Sequence, residues 1–502
     1  MLAVFLTALF LSACSKSEEE SITSLSQLHE KGRIIGVNTS APEEALVGND
    51  FPEAEIRIYS DIISSYTDVA NGKIDAYIHA RMEMERAIKN GVAGVSLLDE
   101  TYCENTVAVG LSRASPISDL KNKINQFLQE LRDDGTLDDM YERWVVEGDE
   151  TMPEIEMPEN PKDTLRVGTT GTTMPFTYYI GDKLAGYDIE LAMRFASWLG
   201  MDLEFKIYDW GGIFAAGQSG DVDCIMSNLY YTKEHEESID FSDALFQVEV
   251  TAMVKEGIGS APSGFFEQIA ESFEKTFIRE DRWKLLVQGC CTTLLITVLA
   301  VLFGTLLGFA VYLVCKKGGR VANNITRFCV WLVQGMPVVV FLMILYYIIF
   351  GKVTIPGTWV SVIGFTIIFA AGVYVELKTS IGTVEWGQTE AAYSLGFSDR
   401  KTFFSIVLPQ ALPHIMPSYT GQVTALIKGT AVVGYIAVQD LTKMGDIIRS
   451  RTYEAFFPLI SVAVLYFVLA GILTFLVRRI GRLLDVKHRK RRKLLKGVKL
   501  HD

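Results

Sequence analysis

Metal-ligand, redox and phosphate-binding motifs are missing from this sequence of 502 residues, which has only 6 histidines and 7 cysteines. No Cys-x-x-Cys pair or other metal-ligand spacing occurs, so we predict no metal site and no cofactor. The motif Gly-x-x-x-x-Gly-Lys-Ser/Thr, whose backbone cradles phosphates, is also absent, so we expect no hydrolysis of ATP by the chain itself and no catalytic residues. The composition excludes collagen-like fibres, disulfide scaffolds and intrinsic disorder.

Each half of the sequence has few charges of one sign. Residues 1–280 contain 50 acidic and 22 basic residues, whereas residues 281–502 contain 10 and 25. The first half is predicted to be an acidic, soluble body, and the second an apolar and basic membrane part. Because its basic residues flank membrane-length segments and form no patch on a soluble domain, nucleic acid is not an expected partner.

The N-terminus begins with an apolar stretch that ends in Leu11-Ser12-Ala13-Cys14. This tetrapeptide resembles the lipobox of bacterial lipoproteins. The resemblance implies that residues 1–20 are a lipoprotein signal peptide and tether, with Cys14 as the lipid attachment site. No Lys or Arg precedes the apolar stretch, which departs from a typical signal. A short buried helix is the alternative.

Two segments, residues 21–147 and 164–258, alternate short β-branched runs with helical patterns and predict α/β structure. Residues 148–163 lie between them and hold three prolines and six acidic residues. This composition is typical of a linker.

Residues 265–485 contain five apolar runs of the length that a bilayer core requires. These predicted spans lie near 288–314, 328–350, 359–380, 416–438 and 456–477. Basic groups follow the first, third and fifth spans, and the last of them continues into a basic tail at 486–502. The positive-inside rule then predicts an extracellular N-terminal body and a cytoplasmic C-terminus in the cell membrane.

Two sets of charged residues in this part need separate treatment. Lys443, Arg449 and Arg451 lie on the predicted external side and break the positive-inside rule locally. Glu376 and Lys378 lie at the inner end of the third span. Ionisable residues at membrane depth are functional candidates, but their side chains can also snorkel to the interface.

Residues 388–411 contain Glu390-Ala391-Ala392, then Gly396 and Leu408-Pro409, at the spacing of one known loop. The segment resembles the EAA loop of ABC importer permeases, in particular the polar amino acid (histidine and glutamine) family. The resemblance implies a five-helix permease whose loop helix docks on a separate ATPase. Gly396 is expected to end this helix with a positive φ, and Pro409 to start the next element.

Residues 164–258 resemble the first lobe of family-3 extracellular solute-binding proteins, through runs such as Met174-Pro175-Phe176 and Asp209-Trp210. Residues 33–111 resemble the second lobe, and residues 119–144 the C-terminal helices that pack on the first. The implied lobe order is circularly permuted, which surface breaks tolerate. Two unrelated α/β halves are the alternative.

The resemblance also implies residues that contact the solute. They are Phe176 and Trp210 as aromatic walls, Ser227, Asn228 and Tyr230 as polar groups, and Ser40, Ala41 and Arg81 on the second lobe. The family's carboxylate-binding arginine falls at His235, which we expect to replace it, and its ammonium-binding aspartate falls at Ala80. Losing both ionic anchors is expected to weaken the binding of a simple amino acid by roughly 10²–10⁴-fold. The sequence therefore does not assign the solute.

We therefore predict a mixed fold, with a bilobed α/β binding domain joined to an all-α membrane domain. The predicted function is that of an ABC importer subunit for amino acids or related small polar solutes. Its expected partners are a second copy, an ATPase and the lipid bilayer. A ligand-gated channel or solute sensor is the alternative, since Val432-Val433-Gly434-Tyr435 is similar to a potassium filter strand, although it lies inside a predicted span.

Overall fold

The computed structural model describes residues 22–39, 41–256, 270, 272–351, 353, 355–454 and 456–484 of the chain. Three predicted features therefore lie outside the described residues: Cys14, Ser40 and the tail at 486–502. The chain divides into two compact units. The smaller unit spans Met1–Ala108, Leu229–Glu236 and Asp243–Ala270, and the larger unit contains the remaining segments.

The smaller unit is built on one six-stranded sheet. Its strands, in spatial order, are Glu55–Tyr59, Ile34–Asn38, Ala76–Ala80, Phe246–Lys255 and Val95–Leu97, with Cys103–Val107 also paired to the fourth of these. Its helices are Leu25–His29, Pro42–Asp50, Ile62–Ala70, Arg81–Lys89 and Lys233–Glu236. All five residues of Ala76–Ala80 are buried, as expected for a strand covered on both faces.

The α/β part of the larger unit has a five-stranded sheet and a short hairpin. The sheet order is Asp202–Ile207, Thr164–Thr169, Cys224–Ile225, Gly110–Leu111 and Asp240–Phe241, and the hairpin pairs Tyr178–Ile180 with Lys183–Ala185. The helices are Leu120–Asp133, Thr136–Tyr141, Glu142–Glu147, Tyr187–Leu199 and Trp210–Ser219. Residues 149–163 form no helix or strand.

The predicted tail helices pack against the helix Tyr187–Leu199. Phe127 contacts the ring of Phe195 at a centroid distance of 5.2 Å. Trp144 is fully buried, and its indole N–H donates to Glu190 at 2.6 Å. Residues far apart in the sequence therefore share one core.

Two strands belong to a different unit from the one predicted. Gly110–Leu111 falls within the predicted second lobe but pairs in the sheet of the larger unit. Phe246–Lys255 falls within the predicted first lobe but lies in the sheet of the smaller unit. The predicted lobe boundaries are wrong at these points, because strand partners are set by long-range pairing that the local sequence pattern does not encode.

The remainder of the larger unit is helical. Its main helices are Trp283–Lys317, Arg320–Gly335, Val338–Met343, Gly357–Gly382, Trp386–Ser394, Asp399–Thr402, Leu408–Gly429, Leu441–Thr452 and Phe456–Leu484. Short π-helical or 3-10 turns occupy Glu274–Ile278, Arg279–Asp281, Ile344–Ile349, Phe403–Val407 and Thr430–Ile436. Among the described residues, three helices are long and apolar enough to cross a membrane, or up to five if each of two bent pairs counts as one span.

One predicted span is bent, and another ends at a bend. Arg320–Gly335 meets Val338–Ile349 at 111°, where Met336 is extended before Pro337. Proline disfavours helical geometry in the residue that precedes it, which explains the break. The second bend, of 59°, separates Asp399–Ile436 from Leu441–Thr452. Val432–Tyr435 lies in the 3-10 turn Thr430–Ile436, directly before this bend.

Gly357–Gly382 is the central helix of this bundle. Inside the protein, 72% of its apolar window is buried, compared with 28% for Trp283–Lys317 and 11% for the last helix. Gly304 and Gly308 allow the helix Trp283–Lys317 to approach the central helix closely. A Cβ at Gly308, for example, would lie 2.6 Å from the carbonyl oxygen of Ala370. The last helix leaves most of its apolar surface uncovered within this chain.

Candidate functional site

The predicted aromatic walls occupy different environments in the larger unit. Phe176 is fully buried and meets the edge of Tyr187 at 6.2 Å. Trp210 is partly buried and is the first residue of Trp210–Ser219, where its ring meets that of Phe214 edge-on at 5.7 Å. Phe176 is thus a core residue in this conformation, whereas Trp210 is a partly exposed residue at the N-terminus of a helix.

The polar residues predicted beside them form short, buried hydrogen bonds. The Ser227 hydroxyl lies 2.8 Å from that of Thr170. Asn228 has a positive φ of 49°, and its backbone N–H donates to Asp188 at 2.5 Å. Burial raises the pKa of Asp188 to about 7, although the Asn228 N–H opposes that rise. Asp188 was not predicted to be a site residue, and it supplies a buried carboxyl group with a raised pKa.

Tyr230, predicted to contact the solute, belongs to a buried polar cluster in the smaller unit. Its hydroxyl donates to Glu83 at 3.1 Å. The ring of His79 lies between two carboxylates, with Nδ1 2.9 Å from Glu43 and Nε2 3.4 Å from Glu83. Asn105 donates to the other oxygen of Glu43 at 2.8 Å. We call these five residues the His79 cluster.

The charges of the His79 cluster favour the imidazolium. Burial alone lowers the pKa of His79, but the charge of Glu83 and the hydrogen bond to Glu43 outweigh it and raise the pKa to about 10. Sequence reasoning missed this cluster. The available signal was His79 at the end of a buried strand, with Glu83 four residues later at helical spacing.

The residues predicted to receive an anion have other neighbours. Ala41 is the N-cap of Pro42–Asp50, but Pro42 lacks an N–H and the buried carboxylate of Glu43 follows it. Arg81 donates to the carbonyl groups of Leu98 and Asp99 and lies 3.3 Å from Glu249. This helix start is consequently a poor anion site, and Arg81 is held by other groups of the smaller unit.

His235 lies in the four-residue helix Lys233–Glu236, and its backbone N–H donates to the Thr232 hydroxyl at 3.0 Å. Burial lowers the pKa of His235, while the backbone of Tyr230 and the charge of Glu234 act in the opposite direction. Desolvation is the larger effect, so the pKa of His235 is lowered overall.

The α/β body and the helical part of the larger unit meet through a buried ion pair. Lys443 is 4% exposed, and its Nζ lies 2.9 Å from a carboxylate oxygen of Asp209 and donates to the Tyr208 carbonyl at 2.9 Å. The Asp209 N–H donates to the Gly434 carbonyl at 3.0 Å. Asp209 is also the N-cap residue that precedes Trp210, so this contact lies directly beside the predicted aromatic wall.

Close backbone packing surrounds the ion pair. A Cβ at Gly212 would lie 2.6 Å from the Tyr435 carbonyl oxygen, and a Cβ at Gly211 would lie 2.8 Å from the Tyr435 ring. The Tyr347 hydroxyl donates to the carbonyl groups of both Tyr435 and Gly212, at 2.8 and 3.2 Å. Larger residues at the two glycines would separate the body from the helices. We call this region, together with Lys443 and Asp209, the docking contact.

A second ion-pair group lies at the other end of Leu441–Thr452. Arg451 donates to both carboxylate oxygens of Glu150 at 2.8 and 2.6 Å and to Glu280 at 3.1 Å. Lys443 and Arg451 are thus neutralised by acidic residues outside the bundle. Because the charges of Lys443 and Arg451 are paired, these residues differ from the unpaired loop cations on which the positive-inside rule is based.

The predicted ATPase loop forms a short helix, Trp386–Ser394. Gly396 has a φ of +79°, as predicted, and its N–H and that of Phe397 donate to the carbonyl groups of Tyr393 and Ala392. This pair of bonds is the Schellman arrangement that ends a helix. Pro409 lies in the first turn of Leu408–Gly429, as predicted.

Large apolar side chains are exposed at both ends of this loop helix, Trp386 at its start and Leu395 just after its last residue. Ala392 is buried against the bundle, whereas Glu390 and Ala391 are exposed. Trp386 is 68% exposed and Leu395 is 77% exposed. Large apolar side chains left open in a soluble loop are typical of a protein contact.

The two ionisable residues of the central helix have different surroundings. Glu376 is 8% exposed and accepts hydrogen bonds from Ser418 and, at 2.6 Å, from the side-chain amide of Gln422. Lys378 is exposed, with its ammonium 5.9 Å from the centroid of the Tyr374 ring. Glu376 is thus a buried, hydrogen-bonded carboxyl group in the bundle, whereas the side chain of Lys378 is exposed. Within the described ranges, no group of three potential metal-ligating side chains occurs.

Comparison with known proteins gives a family match and a set of permease relatives. Residues 165–445 match the family of bacterial extracellular solute-binding proteins, family 3. A Rickettsia bellii protein provisionally named as a glutamine transport system permease protein is 32% identical over 205 residues, which is 40% of this chain and 93% of the relative. The glutamine transport system permease protein of Escherichia coli K12 is 29% identical over 207 residues, 40% of this chain and 94% of the relative.

Among solved structures, an amino acid ABC transporter crystallised with histidines matches 44% of this chain and all of its own chain, with 27% identity and a TM-score of 0.38. Membrane localisation follows from the apolar helices together with the permease relatives. The chain belongs to the bacterial extracellular solute-binding proteins of family 3, joined here to a permease of the family that includes the glutamine transport system permeases.

Proposed function

We propose that this chain is the membrane subunit of an ABC importer for amino acids or related small polar solutes, with its binding domain built into the same polypeptide. The family match and the permease relatives support the two halves of this proposal. The observation that carries it is the docking contact, in which Lys443 of the helical part pairs with Asp209 of the α/β body. A binding domain held at the permease delivers its solute at high effective concentration.

The solute class is drawn from the relatives, two of which are named as glutamine transport permeases. The family's two ionic anchors are replaced by His235 and Ala80, and Arg81 is held by Glu249 and two carbonyl groups. A solute that relies on neutral hydrogen bonds and aromatic contact fits these residues better than one held by a bidentate arginine.

ATP hydrolysis is assigned to a separate subunit that binds the loop helix Trp386–Ser394. Its exposed Trp386 and Leu395 supply apolar contact area, and Gly396 sets the direction in which the chain leaves the helix. Two copies of the chain, each with an ATPase below it, would complete the pathway. The sparse burial of Phe456–Leu484 within one chain leaves apolar surface for a second copy or for lipid.

Uptake by proteoliposomes that contain the full chain and its co-expressed ATPase tests the proposal. Gly396→Val places a β-branched residue at a positive φ, which is unfavourable, so we expect transport to fall at least about tenfold with solute affinity unchanged. Gly382→Val is the matched control, because Gly382 lies outside the loop helix with open space around it and an ordinary φ.

Normal uptake by Gly396→Val would remove the coupling assignment. Failure of any ATPase to copurify with the wild-type chain, together with solute-evoked ion currents in bilayers, would favour the channel alternative. No feature of the described residues favours that alternative at present, since Gly434 and Tyr435 pack against Asp209 and Gly212.

A further inference from the structure

A cavity of about 350 Å³ lies along the last helix, Phe456–Leu484. Its lining residues follow a spacing of three and four and so share one helix face. They are Gly471, Thr474, Phe475, Arg478, Arg479 and Arg482. A Cβ at Gly471 would meet no atom within 4 Å, so this end of the groove is open. We call these six residues the arginine groove.

The arginine groove lies where the helix reaches the end of a membrane-length segment. From Phe456 to Arg478 the helix rises about 33 Å at 1.5 Å per residue, which is close to the hydrocarbon thickness of about 30 Å. The three arginines therefore come at headgroup depth, whereas Gly471 and Phe475 lie deeper, at the level of acyl chains. Phe475 is 60% exposed within this chain.

The charge of the groove limits what can occupy it. Across the part of the chain that the structure describes, no ion pair joins Arg478, Arg479 or Arg482 to a carboxylate. The tail at 486–502 is itself basic, and a second copy packed groove to groove would bring three more guanidinium groups into contact. Like charges repel, so both occupants are disfavoured.

We propose that the arginine groove binds one anionic phospholipid, with its phosphate held by the three guanidinium groups and an acyl chain lying along Phe475 and Gly471. Guanidinium groups match phosphate oxygens in charge and geometry. Basic pockets beside membrane helices are typical sites for anionic headgroups. The groove thereby gives this chain a lipid site that is separate from solute binding and from the ATPase loop.

Native mass spectrometry of the purified full chain, titrated with phosphatidylglycerol and separately with phosphatidylcholine, tests the proposal. We expect the wild type to prefer phosphatidylglycerol by at least about tenfold, since each basic residue near a membrane surface contributes roughly a fivefold effect. The triple variant Arg478→Gln, Arg479→Gln, Arg482→Gln is expected to lose this preference. The control variant Lys317→Gln, Arg320→Gln, Arg327→Gln removes three cations from the end of Trp283–Lys317 and from Arg320–Gly335, and it is expected to keep the preference.

Gly471→Leu fills the open end of the groove while leaving every arginine in place, so it remains informative if the triple variant fails to fold. We expect this variant to bind phosphatidylglycerol several-fold more weakly than the wild type. Unchanged phosphatidylglycerol binding in both variants would overturn the proposal. Equal occupancy by inorganic phosphate would assign the groove to a soluble anion instead, and altered oligomeric state with unaltered lipid binding would assign it to a second copy.

Discussion

His79 in the smaller unit and Lys443 in the larger unit are both buried cations held by carboxylates, but their partners lie at different distances along the chain. His79 contacts Glu43 and Glu83 within one α/β sheet unit. Lys443 contacts the Asp209 carboxylate and the Tyr208 carbonyl. Tyr208 lies 235 residues before Lys443 in the sequence. The first cation stabilises a single module, whereas the second joins the binding body to the permease. A substitution of His79 should therefore lower the stability of the smaller unit. A substitution of Lys443 should weaken the coupling between the binding body and the permease.

The largest effect is expected from His79→Gln, because it leaves Glu43 and Glu83 facing each other without a cation. Breaking a buried ion pair from one side typically costs about 3–5 kcal/mol. Hydrogen exchange of the strand Ala76–Ala80 in the full chain measures this loss locally. His29→Gln changes an exposed histidine of the same unit and should cost less than about 0.5 kcal/mol. Equal exchange in the two variants would show that the cluster does not hold the strand.

The stability of the smaller unit should also depend on pH through His79. Its folded pKa of about 10 lies above the unfolded value of about 6.5. The stabilising contribution is therefore complete below pH 6.5 and is lost as the pH rises toward 10. We expect the free energy of exchange of Ala76–Ala80 to fall by about 2 kcal/mol between pH 7 and 9, after correction for the intrinsic exchange rate. A decline of the same size in His79→Gln would assign it to another group.

Lys443→Met should have a smaller effect on stability, about 1–2 kcal/mol, because Asp209 is 29% exposed and water can solvate it after the pair is broken. Solute-stimulated ATPase activity should fall more than solute affinity. A double-mutant cycle with Asp209→Asn should give a coupling energy above about 0.5 kcal/mol. Arg113→Met breaks the exposed pair with Asp240 in the same unit and serves as control. If the effects of Lys443→Met and Asp209→Asn were additive, Lys443 and Asp209 would not be coupled, and the contrast with His79 would fail.

His235 should give the smallest effect, since burial lowers its pKa below about 6.5. If the bound group of the solute is anionic, its affinity should rise only below pH 6.5, by less than about tenfold. His235→Arg should bind more tightly at pH 7.5 and show a flat profile in calorimetry. The same affinity and profile in wild type and His235→Ala would remove this residue from the site.

Local signals predicted the elements of the fold well. The loop helix followed from its resemblance to the EAA loop, and Gly396 has the positive φ expected of a residue that ends a helix, because a helix end is decided by a few adjacent residues. The packing of Phe127 and Trp144 against Phe195 and Glu190 followed from the resemblance to the family's tail helices. The break at Met336 and Pro337 was missed, although the proline was visible, since hydropathy over a whole span outweighed one residue.

The candidate sites were predicted less completely. Sequence reasoning found the residues of the loop helix, but it assigned Tyr230 to the solute without its partner Glu83. It also placed Gly110–Leu111 and Phe246–Lys255 in the wrong units. Each of these features depends on a partner more than 50 residues away, and no local pattern reports such a partner.

The sequence by itself determined an acidic α/β half, an apolar helical half and the loop helix between membrane segments, because composition, periodicity and turn chemistry act over a few residues. Only the tertiary structure decided that Lys443 and Arg451 are neutralised by Asp209, Glu150 and Glu280. It alone also brought Glu43, His79 and Glu83 into one buried cluster. The physical reason is that charge pairing in the interior depends on distance in space, which the order of residues along the chain leaves open.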